Sequence, residues 1–245
     1  MGSAQQINYH LHLAPRFKFI YFSNPKVGCS SIKATLNLAV AARRGQALAY
    51  TELAQVHDRA HGVLRAPRQV GPKTFEAMMH APDVLRFSMF RDPVARVLSA
   101  YGSKLRGPRG RSNIAARLRD AMGWPEHRPI ALEAFVEALV SRPDVLELDP
   151  HWRPQRRQIG YDVVNYSVIG DHANFEAAFG EILTHIFGVP VPVFDSRSLG
   201  SRRTDSNSAA EQLDDELRRM LINAYAMDYE MIADIRAKGL DRLQG

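Results

Sequence analysis

The stretch FKFIYFSNPKVGCSSIK, residues 17–33, constrains the fold of this chain more than any other. Residues 17–23 are apolar and aromatic and end at an Asn-Pro pair, which is typical of a buried strand of parallel type. A helical pattern over residues 30–45 follows directly. Because a second strand-to-helix junction occurs further along, the sequence predicts an α/β fold with a mainly parallel central sheet flanked by helices.

The turn between this strand and this helix carries residue types that bind a terminal phosphate. Free backbone N–H groups at a helix N-terminus attract anions. Gly28 lets the backbone approach a ligand, Ser30 and Ser31 add hydroxyl donors, and Lys26 adds a charge. The lysine precedes the glycine, whereas an ATP loop of the form G-x-x-x-x-G-K-[ST] places it afterwards. The ATP-loop match therefore fails, and an ordinary turn with a solvated lysine remains the alternative.

A second junction of the same kind follows the predicted strand VLRFSMF, residues 84–90. Asp92 is a plausible helix N-cap, Arg91 lies at the end of the strand, and Ser99 lies about two turns into the helix. Ligands of open α/β sheets bind at the carboxyl ends of the strands, so we expect Lys26 and Arg91 at the same sheet edge. The alternative is a structural ion pair for Arg91.

The remaining pattern continues the alternation of strands and helices. It predicts a helix over 131–141, a third strand over 162–170, a helix over 174–188 and one or two closing helices after 208. We therefore predict a single P-loop-like domain over residues 1–245, whose first ~15 residues need not be ordered.

Composition limits the partners and the compartment. A net charge of +6 and a pI of about 9.6 suggest a nucleic acid, an anionic membrane or a small polyanion as partner. The 32 basic residues are spread among 26 acidic ones without a dense stripe, so we do not expect nucleic acid. The lone cysteine excludes an intrachain disulfide. Since no signal-peptide core or transmembrane run is apparent, we expect a cytoplasmic protein.

Four stretches resemble one known family. NPKVGCSSIK is similar to the 5′-phosphosulfate loop of sulfotransferases, and RDPVARVLSAY resembles their 3′-phosphate element. DPHWRPQRRQIGYDVVNYSVIGDHANFEAAF resembles the His-Trp-x-Pro region of the Golgi carbohydrate sulfotransferases of sulfotransferase family 2, the chondroitin, dermatan and HNK-1 type, and AYAMDYEMI fits their C-terminal pattern. Those enzymes carry a membrane anchor and further cysteines. The chain is therefore expected to be a soluble bacterial relative, whose acceptor does not carry over.

The resemblance implies transfer of a sulfuryl group from 3′-phosphoadenosine-5′-phosphosulfate (PAPS) to a hydroxyl of a carbohydrate-like acceptor, releasing 3′,5′-ADP (PAP). It implies that the 3′-phosphate binds Arg91 and Ser99. It also implies that the phosphosulfate end is held by Lys26, Val27, Gly28, Cys29, Ser30 and Ser31. Lys26 would stabilise the leaving oxygen, and we expect no metal. Arg202 and Arg203 lie in a basic loop that could close over the nucleotide or simply be solvated.

A general base must take the proton of the acceptor hydroxyl. His151 is the first candidate because it lies in the family-like motif, although it could instead be a structural histidine packed against the neighbouring tryptophan. His80 is the second candidate, and His57 and His61 are the third. The i, i+4 spacing of the last two would suit a metal, but Asp58 replaces the glutamate of H-E-x-x-H.

Other interpretations stay open at this level. Arg153, Arg156 and Arg157 could receive an anionic acceptor such as an acidic sugar, or be solvated. An ATP-dependent small-molecule kinase on a related fold is a second function, although the lysine position and the lack of a clear magnesium-binding aspartate oppose it. A basic nucleotide- or nucleic-acid-binding module without chemistry is a third. The oligomeric state is left open.

Overall fold

The computed structural model describes residues 4–106, 112–199 and 213–243. The strands are β1 (Leu11–Ala14), β2 (Phe19–Phe22), β3 (Leu85–Phe90) and β4 (Val168–Asp171). The helices are α1 (Ala4–His10), α2 (Cys29–Arg43), α3 (Leu53–His57), α4 (Pro67–Val70), α5 (Pro72–His80), α6 (Pro93–Lys104), α7 (Asn113–Met122), α8 (Leu132–Ser141), α9 (Pro143–Glu147), α10 (Gln155–Gln158), α11 (Phe175–Phe187), α12 (Asp215–Ala224) and α13 (Ala226–Ala237). Short 3-10 turns span Pro15–Phe17, Arg59–His61, His172–Asn174 and Ser196–Leu199.

The described residues divide into two compact units. The first contains 4–90, 159–199 and 233–243, and the second contains 91–106, 112–158 and 213–232. The first unit therefore carries all four of these strands and the Lys26 turn, whereas the second carries Arg91, Ser99 and His151. The prediction of one sulfotransferase domain over residues 1–245 is not tested by this division and stays a prediction.

The sheet of the first unit has the order β1-β2-β3-β4. The pairs β2–β3 and β3–β4 are parallel, and β1 pairs with β2 in the antiparallel sense. Residues of β2 and β3 are buried throughout, as expected for strands covered on both faces. The predicted α/β class with a mainly parallel sheet is confirmed.

The core of the first unit joins this sheet to α2 and α11. Ile32, Leu36 and Val40 recur at helical spacing on α2 and are fully buried, as the sequence predicts. Phe179 of α11 belongs to the same cluster. Gly45 ends α2 with a φ of 65°, in the left-handed region that glycine adopts readily.

The second unit has a helical core built around Trp152. This side chain is fully buried, its Nε1 donates to the Val145 carbonyl at 2.8 Å, and its ring packs edge-on against Phe135. Apolar residues of α6, α7, α8 and α12 complete the cluster. The tryptophan of the His-Trp motif is therefore a packing residue of this unit.

Two parts of the sequence interpretation need correction. Residues 4–14, expected as a stretch that need not be ordered, form α1 and the buried edge strand β1. The predicted strand 162–170 is wrong over residues 162–167, because the strand that pairs with β3 is Val168–Asp171. A turn at Gly160 takes the backbone N–H groups of residues 163 and 164, and Val163 is 80% exposed. Its apolar side chain therefore marks no strand.

Within the described ranges, every helix is too short or too polar to cross a lipid bilayer. The cytoplasmic location stays a prediction.

Candidate functional site

The turn after β2 is fixed to the sheet at its start and strained at its centre. Asn24, fully buried, donates from Nδ2 to the Met89 carbonyl of β3 at 3.0 Å. Lys26 has a φ of 74°, in the left-handed region that non-glycine residues avoid. Such conformations persist only where the surroundings enforce them, and they cluster at functional sites.

Gly28 begins α2 and is required there for two reasons. Its φ is 83°, and a Cβ at this position would lie 2.7 Å from Cε2 of Phe175. A glycine N-cap has no side chain to accept from the first-turn N–H groups of the helix, so these donors remain for a ligand. Val27 is buried in the core, so its side chain cannot contact a ligand directly.

The serines of the first turn of α2 contact other segments of the same unit. The Oγ of Ser30 lies 3.0 Å from Nε2 of His57 at the end of α3. Ser31 donates from its Oγ to the Oγ of Ser196 at 3.0 Å. These bonds place His57 beside the predicted phosphosulfate loop, whereas Cys29 is only partly buried in the same turn.

In the second unit, Arg91 is positioned through its backbone. Gln155, fully buried, accepts from the Arg91 N–H at 3.0 Å and donates to the Arg91 carbonyl at 2.8 Å. Asp92 caps α6 by accepting from the Ala95 N–H at 2.8 Å, as predicted. Ser99 lies on the same helix and is buried. The structure thus holds Arg91 and Ser99 on one short strand-to-helix segment.

Asp228 and Arg96 organise the segment around the His-Trp motif. The buried carboxylate of Asp228 accepts from the backbone N–H groups of residues 155 and 156 at 2.8 and 2.9 Å. Arg96 is fully buried and donates to the carbonyls of Pro150 and Arg153, both at 2.8 Å. The family-like stretch AYAMDYEMI therefore supplies the aspartate that holds the N-terminus of α10, a role that sequence reasoning missed.

His151 forms a dyad with Asp149. Nδ1 of His151 lies 2.6 Å from Oδ1 of Asp149, and Asp149 also accepts from the His151 backbone N–H at 3.0 Å. Burial by itself would raise the pKa of Asp149, but the hydrogen bonds from His151 and the charge of Arg117 outweigh it and hold that pKa below its usual value. The carboxylate fixes the imidazole and leaves Nε2 as its other proton-carrying atom. The aspartate two residues before the histidine was the sequence signal for this pair.

The three arginines after the His-Trp motif are paired with carboxylates. Arg153 and Arg157 both contact Glu147, at 3.1 and 2.5 Å, and Arg156 lies 3.6 Å from Glu230. The structure therefore gives these arginines acidic partners within their own unit.

Some sequence candidates lie elsewhere. His80 is the exposed last residue of α5, just before β3, so it lies at the amino ends of the strands, whereas the Lys26 turn follows the carboxyl end of β2. His61 pairs with Asp58 at 3.1 Å. Arg202 and Arg203 lie outside the described residues. No group of three or more His, Cys, Asp or Glu side chains suited to a metal occurs in the described part of the chain.

A strand-to-helix turn with a glycine N-cap, a lysine and serines is typical of α/β proteins that bind phosphate groups. Comparison with known families makes this specific, because the model of the family described as "Sulfotransferase family" matches residues 9–232. The chain therefore belongs to the sulfotransferase family.

Two curated relatives are similar along almost the whole chain. The carbohydrate sulfotransferase 14 of Mus musculus is 24% identical over 242 residues, covering 95% of this chain and 62% of the relative. The carbohydrate sulfotransferase 14 of Homo sapiens is 24% identical over 249 residues, with the same coverage. The chain thus spans less than two thirds of the length of these relatives. No solved structure matches the chain.

Proposed function

We propose that this protein transfers a sulfuryl group from PAPS to a hydroxyl of a carbohydrate-like acceptor and releases 3′,5′-ADP. The observation that carries the proposal is the turn between β2 and α2, with a left-handed Lys26 and a glycine N-cap that makes no side-chain hydrogen bond to the first turn of the helix. Membership of the sulfotransferase family and the similarity to two carbohydrate sulfotransferases support the reaction and the acceptor class.

The residues present fit the phosphosulfate end of this donor. A phosphosulfate offers anionic oxygens to backbone N–H groups, and Gly28 supplies no side-chain acceptor that would compete for those at the start of α2. In the proposal, Lys26 and the backbone of residues 27–31 hold this end, while Arg91 and Ser99 hold the 3′-phosphate. The clamp of Gln155 on the Arg91 backbone supports the second assignment, since it positions a permanent cation.

The donor supplies the sulfuryl group, and the protein supplies charge stabilisation and proton transfer. In an in-line displacement, negative charge develops on the oxygen that leaves the sulfur. Lys26 is the side chain we assign to that oxygen, because a preorganised cation stabilises developing charge most where water is excluded. The left-handed backbone at Lys26 supports this role. Such a conformation costs free energy, and it fixes the direction in which the Lys26 side chain leaves the backbone.

Two histidines qualify as the general base. His151 has a buried carboxylate on Nδ1, which favours proton uptake at Nε2. His57 lies 3.0 Å from Ser30 of the first turn of α2. Asparagine substitution distinguishes them, because the variant that lacks the base has a lower kcat and loses the acidic limb of the pH–rate profile, where protonation of the base stops the reaction. The affinity for 3′,5′-ADP should stay unchanged.

Calorimetry with 3′,5′-ADP tests the donor site. We expect binding by the wild type and a loss of about tenfold or more in Lys26→Ala and in Arg91→Ala. Lys18→Ala is the matched control for the first variant, because Lys18 also has a positive φ but pairs with Asp83 on the surface.

Sulfate incorporation from PAPS into a carbohydrate panel, read by mass spectrometry, tests the reaction itself. We expect Lys26→Ala to lower the turnover by about 10²–10³-fold. No 3′,5′-ADP binding by the wild type would end the proposal. Equal binding by wild type, Lys26→Ala and Arg91→Ala would overturn the residue assignment.

A further inference from the structure

Two buried polar side chains of the second unit meet beside Arg91: Gln155 at the start of α10 and Asp228 on α13. Both are fully buried. The Nε2 of Gln155 donates to the Arg91 carbonyl at 2.8 Å and lies 3.4 Å from Oδ2 of Asp228. A chain of polar contacts therefore leads from a buried carboxylate to the residue that we assign to the 3′-phosphate.

Gln155 binds the backbone of Arg91 on both sides of its Cα. Its Oε1 accepts from the Arg91 N–H at 3.0 Å, and its Nε2 donates to the Arg91 carbonyl. The N–H belongs to the peptide plane before Cα and the carbonyl to the plane after it, so one side chain that binds both restrains φ and ψ of Arg91. The direction of the Cα–Cβ bond is restrained with them, and the guanidinium starts from a defined position.

Asp228 fixes the backbone from which the Gln155 side chain projects. Its carboxylate accepts from the backbone N–H groups of Gln155 and Arg156 at 2.8 and 2.9 Å. Burial raises the pKa of Asp228, and these two N–H groups act against that shift. Two apolar side chains would avoid the cost of burying an amide and a carboxylate, so the polar pair favours a role in geometry.

The residue after Arg91 is held by the same helix. Tyr229, one position after Asp228, donates from its hydroxyl to Oδ2 of Asp92 at 3.2 Å. The other carboxylate oxygen of Asp92 caps α6 by accepting from the Ala95 N–H. The start of α13 therefore reaches the Arg91 segment by two routes, one through Gln155 and one through Asp92.

We propose that Gln155 and Asp228 are positioning residues that hold Arg91 in the geometry that recognises the 3′-phosphate, and thereby set the discrimination against nucleotides that lack this phosphate. This inference rests on the proposed function and names the residues on which donor selection depends. A guanidinium binds phosphate most strongly through two parallel N–H···O bonds, which require a defined orientation. An Arg91 whose backbone moves keeps its charge and loses that orientation.

Calorimetry with 3′,5′-ADP and with 5′-AMP, which lacks the 3′-phosphate, tests the inference on the full chain. The ratio of the two dissociation constants measures the discrimination. We expect a ratio of at least about tenfold for the wild type. Gln155→Met should lower the ratio by about fivefold or more through weaker 3′,5′-ADP binding, with the 5′-AMP affinity kept within about twofold.

Gln158→Met is the matched control, because it places the same substitution in the same helix. Gln158 is also buried, but its Oε1 accepts from Arg153 at 3.3 Å. We expect its ratio to stay within about twofold of the wild-type value. A fall as large as that in Gln155→Met would assign the effect to general disturbance of α10 and overturn the inference.

A double-mutant cycle with Arg91→Ala shows whether Gln155 acts through Arg91. We expect the ratio to fall at least as far in Arg91→Ala as in Gln155→Met. Adding Gln155→Met to Arg91→Ala should have no further effect, because no guanidinium is then left to position. A further fall of the ratio in the double variant would show that Gln155 acts independently of Arg91, and would overturn the inference.

Asp228→Asn tests the second positioning residue and replaces Gln155→Met if that variant does not fold. It keeps the size of the side chain and removes one of two acceptors, so we expect the ratio to fall by about twofold or more. An unchanged ratio in either variant, including equal losses of affinity for both nucleotides, would give these residues a role in the fold alone. The proposed function would survive that result, whereas a wild type that does not bind 3′,5′-ADP removes both.

Discussion

Two groups of basic side chains in this protein differ in what neutralises them. Arg153, Arg156 and Arg157 are close together in the sequence, and each contacts a glutamate of the second unit. Lys33, Arg59 and His12 are far apart in the sequence and meet no carboxylate within the described residues of the chain. An arginine paired with a carboxylate is neutralised within the fold, whereas burying a cation without such a partner destabilises the fold.

Arg96 shows a third arrangement, a buried cation held by backbone carbonyls, and carries the largest expected effect. Its guanidinium is fully buried and donates to two backbone carbonyls beside His151. We expect Arg96→Met to lower the free energy of unfolding by about 3 kcal/mol, because the backbone carbonyls of Pro150 and Arg153 lose their charged hydrogen-bond donor. Urea unfolding followed by circular dichroism measures it. The control Arg142→Met removes an exposed arginine paired with Asp144 and should leave the midpoint unchanged. Similar midpoints for the two variants would contradict the structural role of Arg96.

Lys33 tests the second half of the rule, with the opposite sign. Lys33→Met keeps the length of the side chain and removes a buried ammonium without a carboxylate partner. We expect the free energy of unfolding to rise by about 1–2 kcal/mol, since replacing buried charge with apolar surface is often stabilising. The same urea experiment measures it, with the exposed Lys18→Met as control. A loss of stability would show that Lys33 is compensated in the fold.

The sequence predicted the parts of the fold that local patterns encode. Composition and spacing over a few residues predict the strands after residues 17 and 84, the Asp92 cap and the apolar face of α2. The edge strand β1 could not be predicted because it has four residues, LHLA, and its histidine interrupts the apolar run. Strand 162–170 was extended too far because Val163 is apolar yet exposed.

The site was predictable only where its residues are close together in the chain. The Lys26 turn could be predicted from one short stretch of sequence. The Asp149–His151 pair could have been predicted in the same way, because its residues are two positions apart. The proximity of residues 12, 33 and 59 could not be predicted from the sequence, because it depends on how the fold brings β1, α2 and the turn after α3 together. Arg153, Arg156 and Arg157 are neighbours in the sequence, and this spacing alone suggested either an anion site or a solvated surface. The sequence does not show that Glu147 and Glu230 pair with them.

Asp149 predicts how the free energy of unfolding depends on pH. Its folded pKa lies below the ordinary value of about 3.9, so its ionised form stabilises the fold fully above that value. We expect Asp149→Asn to lose about 1 kcal/mol at pH 7 relative to the wild type. The difference should shrink as the pH falls below about 4 and the wild-type carboxylate becomes protonated. Urea midpoints at pH 7, 5 and 3 measure it, and a difference that grows toward low pH would contradict the assigned ion pair.

Arg157 carries the smallest expected effect of the paired arginines. It is more than half exposed, and Glu147 keeps its contact with Arg153 when Arg157 is replaced. We expect Arg157→Gln to lower the free energy of unfolding by no more than about 0.5 kcal/mol, with the difference vanishing in 1 M salt. A larger loss of stability, or one that persists in 1 M salt, would contradict the description of Arg157 and Glu147 as an exposed ion pair.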